Sequence, residues 1–347
     1  MNRCLRLQSH PSGLVTSENV VLTHEPIPTL PTSSSSSSTN DEIYLVIKNL
    51  YASIDPTHRI WMADKAQYMD PIALGDIIRA ATVGIIVESS HVEQWPVGTH
   101  VVGTGGLCDY YVGIPGKNIL HLAGQNPGLP LTADLSVCSV IVGLAAWHGM
   151  NHVLAPNNDD IVVISGAAGA VGSLAGQIAK HMGCKQVIGI AGGQEKCDWI
   201  TKELGFDAAI DYKSQNVEET LKSLVPEGVT CYFDNVGGDV TDAVLMNVRN
   251  HARMALCGSI SEYNDHWTGI KNFNMILMRR VKVQGFICTD HFYELEHMRS
   301  TIGNLVTAGV IKYSEDVREG LENFVDVVNL LFTGKNTGKL ILKINDP

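Results

Sequence analysis

The chain of 347 residues is long enough for two domains of ordinary size, and with 45% hydrophobic and 18% charged residues it has the composition of a water-soluble globular protein. No apolar run approaches the roughly 18 residues needed to span a bilayer, and the formal charge of −11, from 25 basic and 36 acidic residues, disfavours nucleic acid or an anionic membrane as partner. The eight cysteines are scattered with no CxxC pair, a usage that suits reduced thiols better than a disulfide framework or a structural zinc lobe.

The N-terminal MNRCLRLQSHPSG is positively charged with no apolar segment behind it, so no secretory signal is expected and the cytosol is the expected compartment. From Glu18 to about Gly113, short β-rich runs cut by turns predict a small antiparallel or barrel-like domain. The serines Ser33 to Ser38 interrupt it as a low-complexity tract, expected to be a mobile surface spacer.

After Pro130 the period changes. DIVVIS predicts a buried strand, and Val171, Leu174, Ala175, Ile178 and Met182 put one apolar face on the helix that follows, ended by Gly183. Strand and helix then alternate through KQVIGIAG, AAIDY, VTCYFDN, ARMALCG and VKVQGFIC. Six such strands separated by helices indicate an α/β, doubly wound parallel sheet. A last helix with Phe324, Val328 and Leu331 leads to KLILKI, which returns to complete the first domain.

Between the first of these strands and its helix stand Gly166, Gly169 and Gly172. In such a place the first glycine turns the chain, the second admits a ligand to the backbone, and the third lets helix and sheet pack closely. The helix amides and dipole then face the bound anion, and a dinucleotide diphosphate fits. A glycine triplet alone serves tight packing equally well; the whole strand, turn, helix and strand unit selects the dinucleotide. The spacing is GxxGxxG rather than GxGxxG. Where an NAD enzyme places an acid on the ribose hydroxyl, this chain has Ile190, Ala191, Gly192 and Gly193, then Lys196, with Tyr212 after the next strand. Both side chains can donate to a 2′-phosphate, so NADP(H) is the expected cofactor. The alternative is a solvated Lys196 and a packing Tyr212.

These residues, with SIDP and Arg59, GAAGAVGS, GQIAK, EKCDWITKELGFDAAIDYK, CYFDNVGG, CGSISEYN, GLENF and GKNTGK, resemble the medium-chain dehydrogenase/reductase superfamily. Within it the chain is similar to the zinc-independent prostaglandin reductase and alkenal double-bond reductase family. The resemblance spans almost the full length and is densest from Asp160 to Asn264. It implies a GroES-like catalytic domain over 1–127 and 312–347 around a Rossmann domain over 128–311. It also implies cofactor contacts at Ala167, Ala168, Gly169, Ala170, Lys196, Tyr212, Asn235, Cys257, Gly258, Ser259, Ile260, Ser261, Phe286, Ile287, Cys288 and Asn336. Tyr263 matches the family's tyrosine near nicotinamide and substrate, and Tyr68 a pocket tyrosine that orients substrate; for both, packing is the alternative. The chain departs from its relatives at Thr57 and His58, in DPTHR for DPYMR, and at Trp147, in GLAAW for GLTAY. Both changes are expected to border the substrate cleft.

Zinc-dependent relatives carry a GHE motif before the strand equivalent to VGIIVE, where this chain reads IRAATVGIIVE. His148 and His152 have the i, i+4 spacing of a ligand pair but no following glutamate, so two packing or surface histidines, and no metal, are expected. The resemblance implies NADPH-dependent reduction of the carbon–carbon double bond of α,β-unsaturated ketones or aldehydes, 15-oxoprostaglandin-like lipids among them, by a monomer or homodimer. The rivals are a quinone reductase on the same scaffold and a cofactor-binding protein without turnover.

Overall fold

The computed structural model describes residues 1–31, 42–65, 67–264 and 269–346, so the serine tract lies outside the described residues. The chain divides into two compact units: Met1–Leu135 with Glu315–Asn336 and Leu340–Pro347, and Ser136–Ser314 with Thr337–Lys339. The first unit extends to Leu135 because that side chain is wholly buried with Val83, Val102, Ala123 and Ile341.

The first unit is β-rich. Strands β1 (Asn2–Leu7) and β2 (Val20–Glu25) form an antiparallel pair. Strands β3 (Leu45–Ser53), β4 (Thr82–Ser89), β5 (His100–Gly103), β6 (Tyr110–Gly113) and β7 (Ile119–Leu122) enter a second, antiparallel sheet. One cluster of its core joins Leu45, Ile47 and Ile86 to Cys4, Cys108 and Ile119.

The second unit is built on β8 (Ile161–Ser165), β9 (Gln186–Ala191), β10 (Ala208–Asp211), β11 (Val229–Asp234), β12 (Val248–Leu256) and β13 (Lys282–Gly285). All pair in parallel, in the order β10-β9-β8-β11-β12-β13. Every residue of β8 is buried, which is why the strand reads as a continuous apolar run rather than an alternating one. The helix Ala170–His181 buries Leu174, Ala175 and Ile178, and ends just before Gly183, whose φ is +78°. The next, Gln194–Lys202, turns Cys197 and Ile200 inward.

Strands β14 (Glu315–Glu319) and β15 (Lys339–Lys343) complete the first unit's sheet, in the order β14-β15-β3-β4-β5-β7 with β6 paired to β3. Among the described residues, no helix is long and apolar enough to cross a membrane.

Candidate functional site

The sequence walks from β8 outward through β9 to β10, then jumps to the other side of β8 and walks outward through β11 and β12 to β13. The order therefore reverses between β8 and β11, and in a sheet of this kind ligands bind at that switch, outside the carboxyl ends of the strands. All but two of the expected site residues stand in the segments leaving those ends: Ala167–Ala170 after β8, Lys196 after β9, Tyr212 after β10, Asn235 after β11, Cys257–Ser261 and Tyr263 after β12, and Phe286–Cys288 after β13. Asn336 and Tyr68 belong to the first unit.

The turn after β8 is held by its own backbone. Gly166 has a φ of +58°, which only glycine adopts freely. The Ala167 N–H donates to the Ile190 carbonyl at 3.0 Å and the Gly169 N–H to the Gly166 carbonyl at 2.9 Å. A Cβ at Gly172 would stand 2.3 Å from the Gly166 oxygen and 2.9 Å from the Ala167 Cα, so any larger residue would push the helix off the turn. No side chain caps that helix at Gly169, and its first turn holds no acid, so its leading amides are left to an anion.

At the ends of β9 and β10 the polar groups change character. The Asp211 carboxylate accepts from the Gly193 N–H at 2.7 Å, the Ser214 hydroxyl at 2.8 Å and the Lys213 N–H at 3.0 Å, and these bonds hold it below its usual pKa. Asp211 is thus spent on shaping the glycine turn at 192–193. The Tyr212 phenol lies across Gly192, its oxygen 2.8 Å from where a Cβ would be. Burial, then the neighbouring Lys213, push the Lys196 ammonium below its ordinary range. Two lysines and a phenol gather where the 2′-phosphate is expected, and Lys213 is a member of this corner that sequence reasoning missed. Its signal was adjacency to Tyr212.

The switch point is bridged by a network centred on a second missed residue. Asp234, 2% exposed, accepts from the hydroxyls of Ser165 (2.8 Å), Tyr232 (2.9 Å) and Thr241 (2.5 Å) and from the Val236 and Gly237 N–H groups at 2.9 and 3.0 Å. Asn235 then reaches across to β8: its N–H donates to the Ser165 hydroxyl at 2.8 Å and its amide to the Ser165 carbonyl at 2.7 Å. The following loop is tied to the same place, since Cys257 and Gly258 donate to the Asp234 carbonyl and Ile260 to that of Asn235. Tyr263 folds back over this loop, its oxygen accepting from the Ser259 N–H at 3.4 Å. Burial pushes the phenol above its usual pKa despite that bond, so it keeps its proton.

Phe286 packs edge-on against Phe233, with ring centroids 6.3 Å apart, and lies beside His148 at 5.5 Å. Cys257 and Cys288 are in no disulfide, and burial, with Cys288 nearby, pushes the Cys257 thiol up. In the first unit, Tyr68 is 43% exposed and its oxygen accepts from the Trp61 indole at 2.6 Å, whereas Asn336 is buried. Of the departures from the family pattern, His58 is fully buried between Trp61 and Phe324, a packing position rather than a lining one. Trp147 sets its ring edge-on to His297. The histidine pair does not read as two independent packing side chains either: Glu294, far along the chain, meets both His148 and His152.

Comparison with known proteins agrees with this architecture. Residues 170–304 match the family model described as zinc-binding dehydrogenase, and residues 3–122 the one described as the N-terminal domain of oxidoreductase. The chain is similar to the NADP(+)-dependent 2-alkenal reductase of Nicotiana tabacum, 34% identical over 304 residues that cover 87% of each chain. It is likewise similar to prostaglandin reductase 1 of Bos taurus, 34% identical over 305 residues covering 86% of this chain and 89% of that one. The crystal structure of CurA from Vibrio vulnificus in complex with NADPH superposes with a TM-score of 0.89 at 35% identity, covering 99% of this chain and 100% of that one. The zinc in the first model's description finds no support at the GHE position, where Arg79, Ala80 and Ala81 precede β4.

Proposed function

The chain belongs to the medium-chain dehydrogenase/reductase superfamily, among its zinc-independent reductases, and we propose that it reduces the carbon–carbon double bond of α,β-unsaturated ketones and aldehydes with NADPH. The observation that carries this reading is Tyr263, a protonated phenol held by the Ser259 N–H in the same row of strand ends as the glycine turn and the Lys196 corner. The names of the alkenal and prostaglandin reductases, to which most of the chain is similar, support the same chemistry.

NADPH, when bound, supplies a hydride for the β-carbon of the acceptor. The turn from Gly166 to Ala170 holds the diphosphate, for which the uncapped helix start and the close approach at Gly172 suit it. Lys196, Lys213 and Tyr212 take the 2′-phosphate, and Asn235, Cys257–Ser261, Phe286–Cys288 and Asn336 line the remaining length. Tyr263 donates to the carbonyl oxygen of the acceptor as negative charge gathers there, and does so as a neutral phenol because burial keeps its proton on. Tyr68 orients the substrate, and a proton added at the α-carbon completes the reduction. Within this class, 15-oxoprostaglandin-like enones are the substrates we favour.

The test is steady-state consumption of NADPH and NADH with a series of enones and alkenals, 15-oxo lipids included, and a parallel series of quinones. Saturated carbonyl products formed with a strong preference for NADPH are expected. Turnover of quinones alone would replace the substrate class, and tight cofactor binding without oxidation by any reactive enone would remove the catalytic reading.

A further inference from the structure

Around Glu294 the second unit gathers three histidines, and the proposed reductase mechanism has no use for any of these four side chains. His148 ends a short helix, Ala145–His148, and His152 lies in the π-helical turn that continues it, Gly149–Leu154. Glu294 comes from the far end of the segment Cys288–Glu294. His148 Nδ1 is 2.8 Å from Glu294 Oε1, and His152 Nε2 is 3.0 Å from Glu294 Oε2. His291 stacks on His148 with ring centroids 3.4 Å apart and planes 13° from parallel, its Nδ1 4.0 Å from Glu294 Oε1.

Hydrogen bonding alone does not account for this cluster. Glu294 is 7% exposed, and its Oε2 is buried with no well-formed hydrogen bond, although His152 lies at a bonding distance and the Tyr293 phenol interacts with the carboxylate. Among the described residues, the basic groups within ion-pair reach of this carboxylate are the three imidazoles, with no lysine or arginine. A buried oxygen so placed costs free energy unless something completes its shell. The donor atoms of His148, His152 and Glu294 all lie within 4.8 Å of one another. Ligands at zinc distances of about 2.0–2.2 Å in a tetrahedron stand about 3.3 Å apart, so the set needs only small side-chain rotations to close on one ion. His152, its side chain 54% exposed, leaves a route in from solvent.

We propose that His148, His152 and Glu294 form a binding site for a divalent transition metal ion of the zinc class, which enters past His152 and ties the turn at 149–154 to the segment 288–294. The donor set, two imidazole nitrogens and one carboxylate oxygen, suits zinc and leaves a fourth position for water or His291. On binding, the ion takes the place of the hydrogen that an imidazole nitrogen directs at the carboxylate: a neutral ring takes up its other tautomer with no net proton released, and a charged ring gives one proton to solvent. The site stands apart from the GHE position that zinc-dependent members of the family use, and it does not depend on the reductase reading.

The experiment is calorimetric titration of the chelator-treated full chain with Zn2+, with Co2+ as a spectroscopic probe. One ion per chain is expected, with a cobalt spectrum free of thiolate charge-transfer bands. His152→Ala, a change at an exposed side chain, should weaken binding by more than the roughly 10- to 100-fold that altering a mere supporting partner costs. Glu294→Gln should abolish it, with circular dichroism to confirm the fold. No saturable binding, a thiolate band, or equal affinity in His152→Ala would overturn the proposal. Because the readout is metal binding, a failed reductase assay leaves it untouched.

Discussion

Replacing Lys196 by alanine separates the 2′-phosphate assignment from any general damage to the crevice. In the cofactor-free chain burial and Lys213 both disfavour its charge, an environment that a phosphate dianion would relieve. A hydrogen bond to a charged group contributes about 1.5–3 kcal/mol, so loss of one should raise the dissociation constant for NADPH about ten- to hundredfold. NADH lacks the phosphate and should bind the variant as it binds the parent chain. Lys213 remains in the variant, so Lys196→Ala/Lys213→Ala should lose further affinity and flatten the dependence of NADPH binding on salt. Fluorescence titration with each dinucleotide measures both constants, and thermal melting of the cofactor-free variant verifies the fold. Equal weakening of NADPH and NADH, or no weakening of either, would refute the reasoning.

The opposite pattern is expected of Gly172→Ala: its Cβ would start 2.3 Å from a backbone oxygen that cannot rotate away, so the helix must retreat by about an ångström. That should weaken both dinucleotides alike and cost about 1–3 kcal/mol of stability by chemical denaturation. Tyr263→Phe removes the proposed donor to the carbonyl oxygen and should lower kcat about 100- to 1000-fold while leaving the NADPH dissociation constant in place; an unchanged kcat would withdraw the assignment. Asp234→Asn puts an amide among five donors that now converge on a carboxylate, so at least one buried group loses its partner. A loss of about 1–3 kcal/mol is expected, with weaker cofactor binding, since the loops carrying Asn235 and Cys257 hang on the same residue; a melting temperature equal to the parent's would contradict this.

How far the site could be read ahead of the structure depended on the range of each constraint. Gly166 and Gly172 answer to requirements that lie within a few residues, a left-handed φ at the one and a backbone oxygen 2.3 Å from where a Cβ would start at the other, and a local requirement leaves its mark on local sequence. The central strands β8, β9 and β11 were equally plain, because burial on both faces writes itself into each of them separately. Asp234 is different in kind. Its donors come from β8, from β11 itself, from the loop after β11 and from the helix that follows, and nothing within CYFDN shows that they meet. The histidine pair carries the same lesson more sharply, for the spacing of His148 and His152 was visible, while the carboxylate that gives it meaning lies 146 residues after His148. Hydrophobic burial selects a class of residue at a position and so survives as a pattern. Polar convergence selects particular partners across the fold, and a residue such as Asp234 or Glu294 looks ordinary until its neighbours are in place.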